Sequence, residues 1–209
     1  MEYSDKQVQI MEAAENLFAE QGYNGTSVRD IAESARVNLA MISYYFGSKE
    51  KLWEALFTYR GDTTKLKLES IIKKEGLTSL EKVYLLIDHY IEKVMSQQCF
   101  HKILAREQVL NNARVTTELI LQMKKQNLEL IGQLIHEGQK KKEFSKNIDI
   151  PLMMTTMIGT AHNLITTKHY YRELNNLQSL SEEDFQQLIK KKLSQHLKRI
   201  FKAILTYEA

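Results

Sequence analysis

The sequence predicts an all-α protein, and three observations carry this prediction. The 209 residues include one proline and eight glycines, which is few turn-forming residues for a chain of this length. Apolar residues recur at the spacing of an α-helix in one segment after another. The hydrophobic fraction of 43% and the charged fraction of 26% are those of an ordinary folded chain that can bury a core. These features exclude a disordered or strand-rich protein.

The first 50 residues predict a longer first helix followed by two short ones. The apolar face of the first helix ends at Gly22, a residue suited to the left-handed end of a helix. Thr26 and Ser27 are candidate N-caps of the second helix. A tight corner at residues 36–38 then leads into a third helix from about Leu39 to Phe46. The faces expected to be buried are formed by Ile10, Ala14, Leu17, Phe18, Val28, Ile31, Ala32 and Ala35.

Two short helices that are joined by a tight turn and packed on a longer one form a helix-turn-helix. In the third helix, Met41, Ile42 and Phe46 are expected to anchor against the core, which leaves the opposite face for contact. Small side chains there allow close approach to a major groove, and polar side chains can bond to base edges or phosphates. The predicted reading face consists of Asn38, Leu39, Ala40, Ser43, Tyr44 and Tyr45.

Phosphate contacts must come from local placement of charge, because the first 52 residues hold five basic and eight acidic side chains. Helix starts attract anions, and a fourth helix is expected to begin after Ser48. The predicted phosphate contacts are Thr26, Ser27, Arg29, Arg36 and Lys49. The alternatives are tyrosine rings that pack between the third and fourth helices, an ion pair of Arg29 with Asp30 or Glu33, and a solvated Lys49.

The stretch from about Ile10 to Phe57 resembles the TetR family of transcriptional regulators. The matching pieces occur in the family's order: Phe18 to Tyr23, Thr26-Ser27, Ile31-Ala32, Ala35-Arg36-Val37, Ser43 to Phe46 and Ser48 to Leu52. Arg36 stands where the family usually has a glycine. Ser43 stands where the family commonly has a phosphate-binding tyrosine, so Tyr44 becomes the candidate for that role.

The resemblance implies a cytoplasmic, ligand-responsive repressor that binds a palindromic DNA operator as a homodimer. It implies a helix-turn-helix DNA-binding domain at residues 1–50 and a larger helical ligand-binding and dimerisation domain at residues 51–209. The dimer is expected to form through the last two helices, at about 151–172 and 183–206. An unknown small molecule is expected between the middle helices, with candidate contacts at Tyr84, His89, Met123, Asn127 and His162.

The residues after position 60 independently predict long helices. Apolar stripes at helical spacing run through residues 80–95, 120–135 and 189–204. Residues 150–167 hold no Asp, Glu, Lys or Arg, yet Pro151 and five threonines make them too polar for a membrane span. An uncharged helix of this kind fits burial against a second subunit.

Several other classes of site have no signature in the sequence. The single cysteine, Cys99, excludes an internal disulfide and a cysteine-based zinc site. No signal peptide, phosphate-binding glycine loop or hydrolase motif is present, so the sequence predicts no catalytic residue, metal or cofactor. Two alternatives to a ligand-responsive repressor remain. One is a DNA-binding protein of the same fold without a small-molecule ligand, and the other is a helical-bundle enzyme with convergent titratable groups.

Overall fold

The computed structural model describes residues 3–110 and 115–206, and in these ranges the chain forms ten α-helices and no β-strand. This confirms the predicted all-α class. No helix in these ranges is both long enough and apolar enough to cross a membrane. The helices are α1 Asp5–Gly25, α2 Val28–Ser34, α3 Leu39–Phe46, α4 Lys49–Ile72, α5 Ser79–Ser96, α6 Gln98–Leu110, α7 Val115–Lys140, α8 Ile150–Thr166, α9 Lys168–Leu174 and α10 Glu182–Thr206.

Packing divides the chain into two units. The first unit combines Met1–Leu66 with Gln97–Gln126, and the second combines Lys67–Ser96 with Asn127–Ala209. The division therefore falls inside α4 and α7. The predicted boundary at residue 50 divides the DNA-binding domain from the ligand-binding and dimerisation domain, which is a different division from that of the packing units. The boundary at residue 50 stays a prediction.

An aromatic cluster forms the core of the first unit. The rings of Phe18 and Trp53 lie 4.8 Å apart, those of Trp53 and Phe57 4.9 Å, and those of Phe57 and Phe100 5.2 Å. These residues come from α1, α4 and α6, which are thereby held together. The sequence did not predict α6, although its Phe100 and Ile103 are buried in this core.

Local signals place the helix-turn-helix where the sequence predicts it. Gly22 has a φ of 79°, so helical geometry is interrupted there. Ser27 caps α2 and forms a capping box with Asp30, in which each backbone amide donates to the other side chain, at 2.9 and 3.2 Å. Thr26 is not a cap of this helix, because Ser27 takes that position. Gly47, with a φ of 77°, ends α3 as expected.

The second unit is built around α5, α8 and α10, which pack against one another. Ile87 and Ile91 of α5, Met157 of α8, and Leu193 and Leu197 of α10 are buried together. This confirms the predicted apolar stripes on α5 and α10. The seven-residue α9 was not predicted, and it contains no buried residue.

Candidate nucleic-acid interface

The outer face of α3 is open to solvent. Asn38, Ala40 and Ser43 are exposed, Leu39 is 42% exposed and Tyr44 is 83% exposed. On the other side, Ile42 and Phe46 are 1% and 7% exposed and hold α3 against the core. The exposure that the predicted reading face requires is therefore present.

The side-chain oxygen of Asn38 caps α3, and its side-chain NH₂ group remains available as a hydrogen-bond donor. Its Oδ1 accepts a hydrogen bond from the Ala40 amide at 2.9 Å, which makes Asn38 the N-cap of α3. The side-chain NH₂ group has no partner among the described residues. An amide donor at the start of an exposed helix can bond to acceptors on base edges or to phosphate oxygens.

Of the two adjacent tyrosines, Tyr44 has its ring in solvent and Tyr45 has its ring against the core. Tyr45 is partly buried and packs against the core of the first unit. Tyr44 stands out into solvent, and its ring lies edge-on to Tyr45, with the centroids 5.1 Å apart. Of the two rings, Tyr45 is therefore the inner one. Tyr44 has the hydroxyl that is free to reach outward.

Arg29 on α2 and Arg36 in the corner supply positive charge beside this face. Both are exposed, and neither forms an ion pair within the described residues. The alternative of an ion pair between Arg29 and Asp30 or Glu33 is therefore not observed. Arg36 has a φ of 51°, the left-handed conformation for which the family's usual glycine is suited.

The start of α2 is less available to phosphate than the sequence predicts. Thr26 is 1% exposed, and its hydroxyl donates to the Gly22 carbonyl at 2.9 Å, so its side chain is engaged within the fold. A phosphate contact at this position stays a prediction. The Ser27 amide already donates to the Asp30 carboxylate. The hydrogen bond of the Ser27 hydroxyl, and after it this amide hydrogen bond, lower the pKa of Asp30. A negative charge therefore occupies the end of α2 that would attract an anion.

The Lys49 side chain is likewise held by contacts within the protein. Its ammonium donates to the carbonyls of Tyr23 and Thr26 at 2.9 and 3.0 Å. It also lies 4.2 Å from the centroid of the Tyr23 ring. Neither of the sequence interpretations, a phosphate contact or a solvated side chain, describes this arrangement. No local signal could have revealed it, because the Tyr23 carbonyl is 26 positions away along the chain.

Comparison with known proteins decides the family. A family model described as bacterial regulatory proteins, tetR family, matches residues 10–56. A second, described as the C-terminal region of YsiA-like protein, matches residues 65–202, which is more than half of the chain. The chain belongs to the TetR family. It is a transcriptional regulator with a helix-turn-helix DNA-binding region, as the sequence predicts.

Individual relatives support this assignment. The probable HTH-type transcriptional regulator YttP of Bacillus subtilis is 32% identical over 140 residues. The match covers 65% of this chain and 65% of YttP, so this chain spans slightly less than two thirds of that relative. The fatty acid metabolism regulator protein of Bacillus subtilis is 26% identical over 78% of this chain and 82% of its own length. A crystal structure of FadR from Bacillus subtilis in complex with stearoyl-CoA has a TM-score of 0.67. It is 24% identical, and the match covers 91% of this chain and 96% of FadR.

In this TetR-family protein the candidate ligand residues are spread over both units. Met123 belongs to the first unit, where it lies against Gly61 of α4. Tyr84, His89, Asn127 and His162 belong to the second unit and are all partly exposed. Their roles as ligand contacts stay predictions.

His89 differs from the other candidates because its buried Nε2 atom has no hydrogen-bond partner. Burial lowers the pKa of this histidine, and the nearby charges of Lys93 and Lys67 lower it further. A buried polar atom without a partner is unfavourable unless something else satisfies it. Among the five candidates, His89 therefore has the clearest physical reason to bind a ligand.

Proposed function

We propose that this regulator binds a palindromic operator as a homodimer and represses transcription until a small molecule binds to it. The observation that carries this proposal is the open face of α3, which presents the Asn38 amide and the Ser43 and Tyr44 hydroxyls. Two such faces related by two-fold symmetry read half-sites that are about one helical turn, or roughly 34–36 Å, apart. A protein that reads bacterial chromosomal DNA works in the cytoplasm, and we propose this location.

Within the interface, each proposed contact has a chemical role. Asn38 and Ser43 bond to base edges, while Leu39 and Ala40 contact thymine methyl groups. Tyr44 and the two arginines bond to phosphates and fix the register of the protein on the duplex. Tyr45 supports Tyr44 from behind and contacts the backbone with its edge. The proposed set is Arg29, Arg36, Asn38, Leu39, Ala40, Ser43, Tyr44 and Tyr45.

We infer that the effector is a long-chain fatty acyl-CoA. Support comes from a relative that is named a fatty acid metabolism regulator and from the FadR crystals that contain stearoyl-CoA. In this chain, Met153 and Met157 of α8 are buried beside Ile87 and Ile91 of α5. Methionines adapt their shape, so this core can open around an acyl chain at a low energetic cost.

The homodimer is proposed to form through the last two long helices, in residues 151–172 and 183–206. Large apolar side chains that a monomer would leave in water support this: Leu152, Ile158 and Tyr170 are exposed there. We propose that these side chains lie together in the interface between the two subunits.

The test is selection of preferred duplexes from a random DNA pool, with and without stearoyl-CoA. We expect an inverted repeat to be enriched, and we expect stearoyl-CoA to release it. Coenzyme A without the acyl chain is the control and should leave binding unchanged. If a series of acyl-CoAs neither releases the DNA nor shifts the melting temperature, the proposed effector is wrong, and the alternative of a DNA-binding protein without a small-molecule ligand is favoured. If no duplex is enriched, the proposed function fails.

A further inference from the structure

The side chain of Gln9 ties the first helix to the end of α2. Its Nε2 donates a hydrogen bond to the Ala35 carbonyl at 2.8 Å, across 26 positions of the chain. Ala35 is the C-cap of α2, where backbone carbonyls have no partner within the helix. Arg36 follows directly, and the corner at residues 36–38 leads into α3. The Gln9 amide therefore fixes α1 against the segment from which the reading face begins.

The oxygen of the same amide group holds a cation. Gln9 Oε1 accepts a hydrogen bond from the Lys6 ammonium at 2.9 Å. The ammonium and the Ala35 carbonyl oxygen are thus bound by the two polar atoms of one side chain. Lys6 is exposed, so its charge lies in solvent near the corner that carries Arg36. A second cation therefore accompanies Arg36 at this end of the reading face.

The charge of Lys6 is not neutralised within the described ranges 3–110 and 115–206, because Lys6 forms no ion pair there. Five other lysines do pair with a carboxylate: Lys73, Lys141, Lys168, Lys190 and Lys198. A neutral amide oxygen orients the Lys6 ammonium and leaves its full charge for an external anion. The helix gains nothing from this charge, since a cation in the first turn opposes the helix dipole.

We propose that Lys6 binds a phosphate of the DNA backbone beside the phosphate bound by Arg36, and that Gln9 is the positioning residue that orients it. Lys49 does not offer its ammonium in this way, because two backbone carbonyls hold it. This inference rests on the proposed function and adds to the interface a residue of α1, outside the helix-turn-helix. A phosphate contact carries no sequence information, so Lys6 contributes affinity and register but no specificity.

The first test compares Lys6→Gln with wild type for binding to the selected operator and to a scrambled duplex over a range of salt concentrations. We expect the slope of log affinity against log salt to become shallower by about one for each subunit that contacts the duplex. Both duplexes should lose affinity by the same factor. Lys6→Arg should keep the wild-type slope. The matched control is Lys124→Gln, because Lys124 of α7 is also exposed and donates to a glutamine, Gln108, at 3.0 Å.

The second test examines the role of Gln9 with Gln9→Glu, which keeps the length of the side chain and brings a carboxylate to the Lys6 ammonium. The resulting ion pair should make the salt slope shallower by the same amount as Lys6→Gln does, although Lys6 is still present. When Lys6→Gln is already in place, Gln9→Glu should leave the slope unchanged. A purely structural role of Gln9 would lower affinity in both backgrounds without changing the slope. Circular dichroism will show whether each variant keeps its helix content.

The outcomes separate this inference from the proposed function. A wild-type chain that binds no duplex overturns the proposed function itself. A wild-type chain that binds its operator, with an unchanged salt slope in Lys6→Gln, overturns only the contact at Lys6. If Lys124→Gln changes the slope as much as Lys6→Gln does, the effect comes from net charge, and the contact is also overturned. If Lys6→Gln weakens binding to the operator alone, Lys6 reads bases, which contradicts the assignment to phosphate.

Discussion

Lys49 shows how a charged residue in a DNA-binding region can serve the fold. Its hydrogen bonds to the Tyr23 and Thr26 carbonyls tie the start of α4 to the segment between α1 and α2. We predict that Lys49→Ala lowers the free energy of unfolding by about 1.5–3 kcal/mol, the range for hydrogen bonds to charged groups. Chemical denaturation measures this, and Lys51→Ala, at an exposed site, is the control. Unchanged stability with a salt dependence of DNA binding that falls by one charge would instead make Lys49 a phosphate contact.

Arg36 combines a strained backbone with a free positive charge. Its φ of 51° is unfavourable for a residue with a Cβ but not for glycine. We predict that Arg36→Gly raises the free energy of unfolding by about 1 kcal/mol, because that strain disappears. The same substitution should weaken binding to all DNA and lower the salt slope by about one, since a phosphate contact is lost. Arg36→Gln keeps the Cβ and therefore the strain, so it separates the two effects because it removes the charge alone. Unaltered DNA binding by both variants would exclude the contact.

Asp30, at the start of α2, is expected to make the stability of the protein depend on pH. Its pKa is lowered first by the hydrogen bond from the Ser27 hydroxyl and then by that from the Ser27 amide. The ionised Asp30 therefore stabilises the folded state. This stabilisation is complete when the pH is above the pKa of Asp30 in the unfolded chain, which is about 4. It is lost as the pH falls through the lower pKa that Asp30 has in the folded protein. We therefore expect Asp30→Asn to lower stability at pH 7 and to have little effect near pH 2. Glu33→Gln, also on α2, is the control. A difference between wild type and Asp30→Asn that persists at low pH would contradict this assignment.

At the scale of elements, a buried ion pair joins α1 to α4. Arg60 Nε donates to Glu15 Oε2 at 2.7 Å, and both side chains are largely buried. We predict that Arg60→Met lowers the free energy of unfolding by about 3–5 kcal/mol, because it leaves a buried carboxylate without a partner. Adding Glu15→Leu should recover most of this loss, since the isolated charge is then gone. A double-mutant cycle by denaturation measures the coupling. If the second substitution destabilises the first variant further, the pair is not the source of the effect.

The elements that the sequence predicts are those with a clear apolar period or an end signal. The helix α3 is found from Leu39 to Phe46, as predicted, because Asn38 and Gly47 mark its ends. By contrast, α6 was missed because its apolar stripe is short, with Phe100 and Ile103 as buried positions. Its Arg106 donates a hydrogen bond to the distant Phe18 carbonyl, which no local pattern predicts. Helix α9 was missed because it is short and buries nothing.

At the scale of the whole molecule, the parts of the site that depend on local sequence patterns could be predicted, and the parts that depend on distant segments could not. The open face of α3 follows from local spacing, which places Ile42 and Phe46 on the opposite side. The inward orientation of Thr26 and Lys49 follows from carbonyls that only the folded chain brings near. The residues that bind the effector depend on contacts between distant segments, and a single sequence carries no record of these contacts.

The proposed regulation makes a quantitative prediction for the whole molecule. If stearoyl-CoA lowers operator affinity, then operator DNA must lower the affinity for stearoyl-CoA by the same factor, because the coupling free energy is shared by both ligands. A coupling of about 1–3 kcal/mol corresponds to a factor of roughly 5–150 in each direction. Both factors can be measured by titration calorimetry on one preparation, with DNA of scrambled sequence as the control. An apparent affinity for stearoyl-CoA that keeps falling as the DNA concentration rises, without reaching a plateau, would mean that the acyl-CoA and the DNA compete for one surface. A factor that reaches a plateau, together with an intact dimer throughout, would show that both ligands bind the same molecule at separate sites.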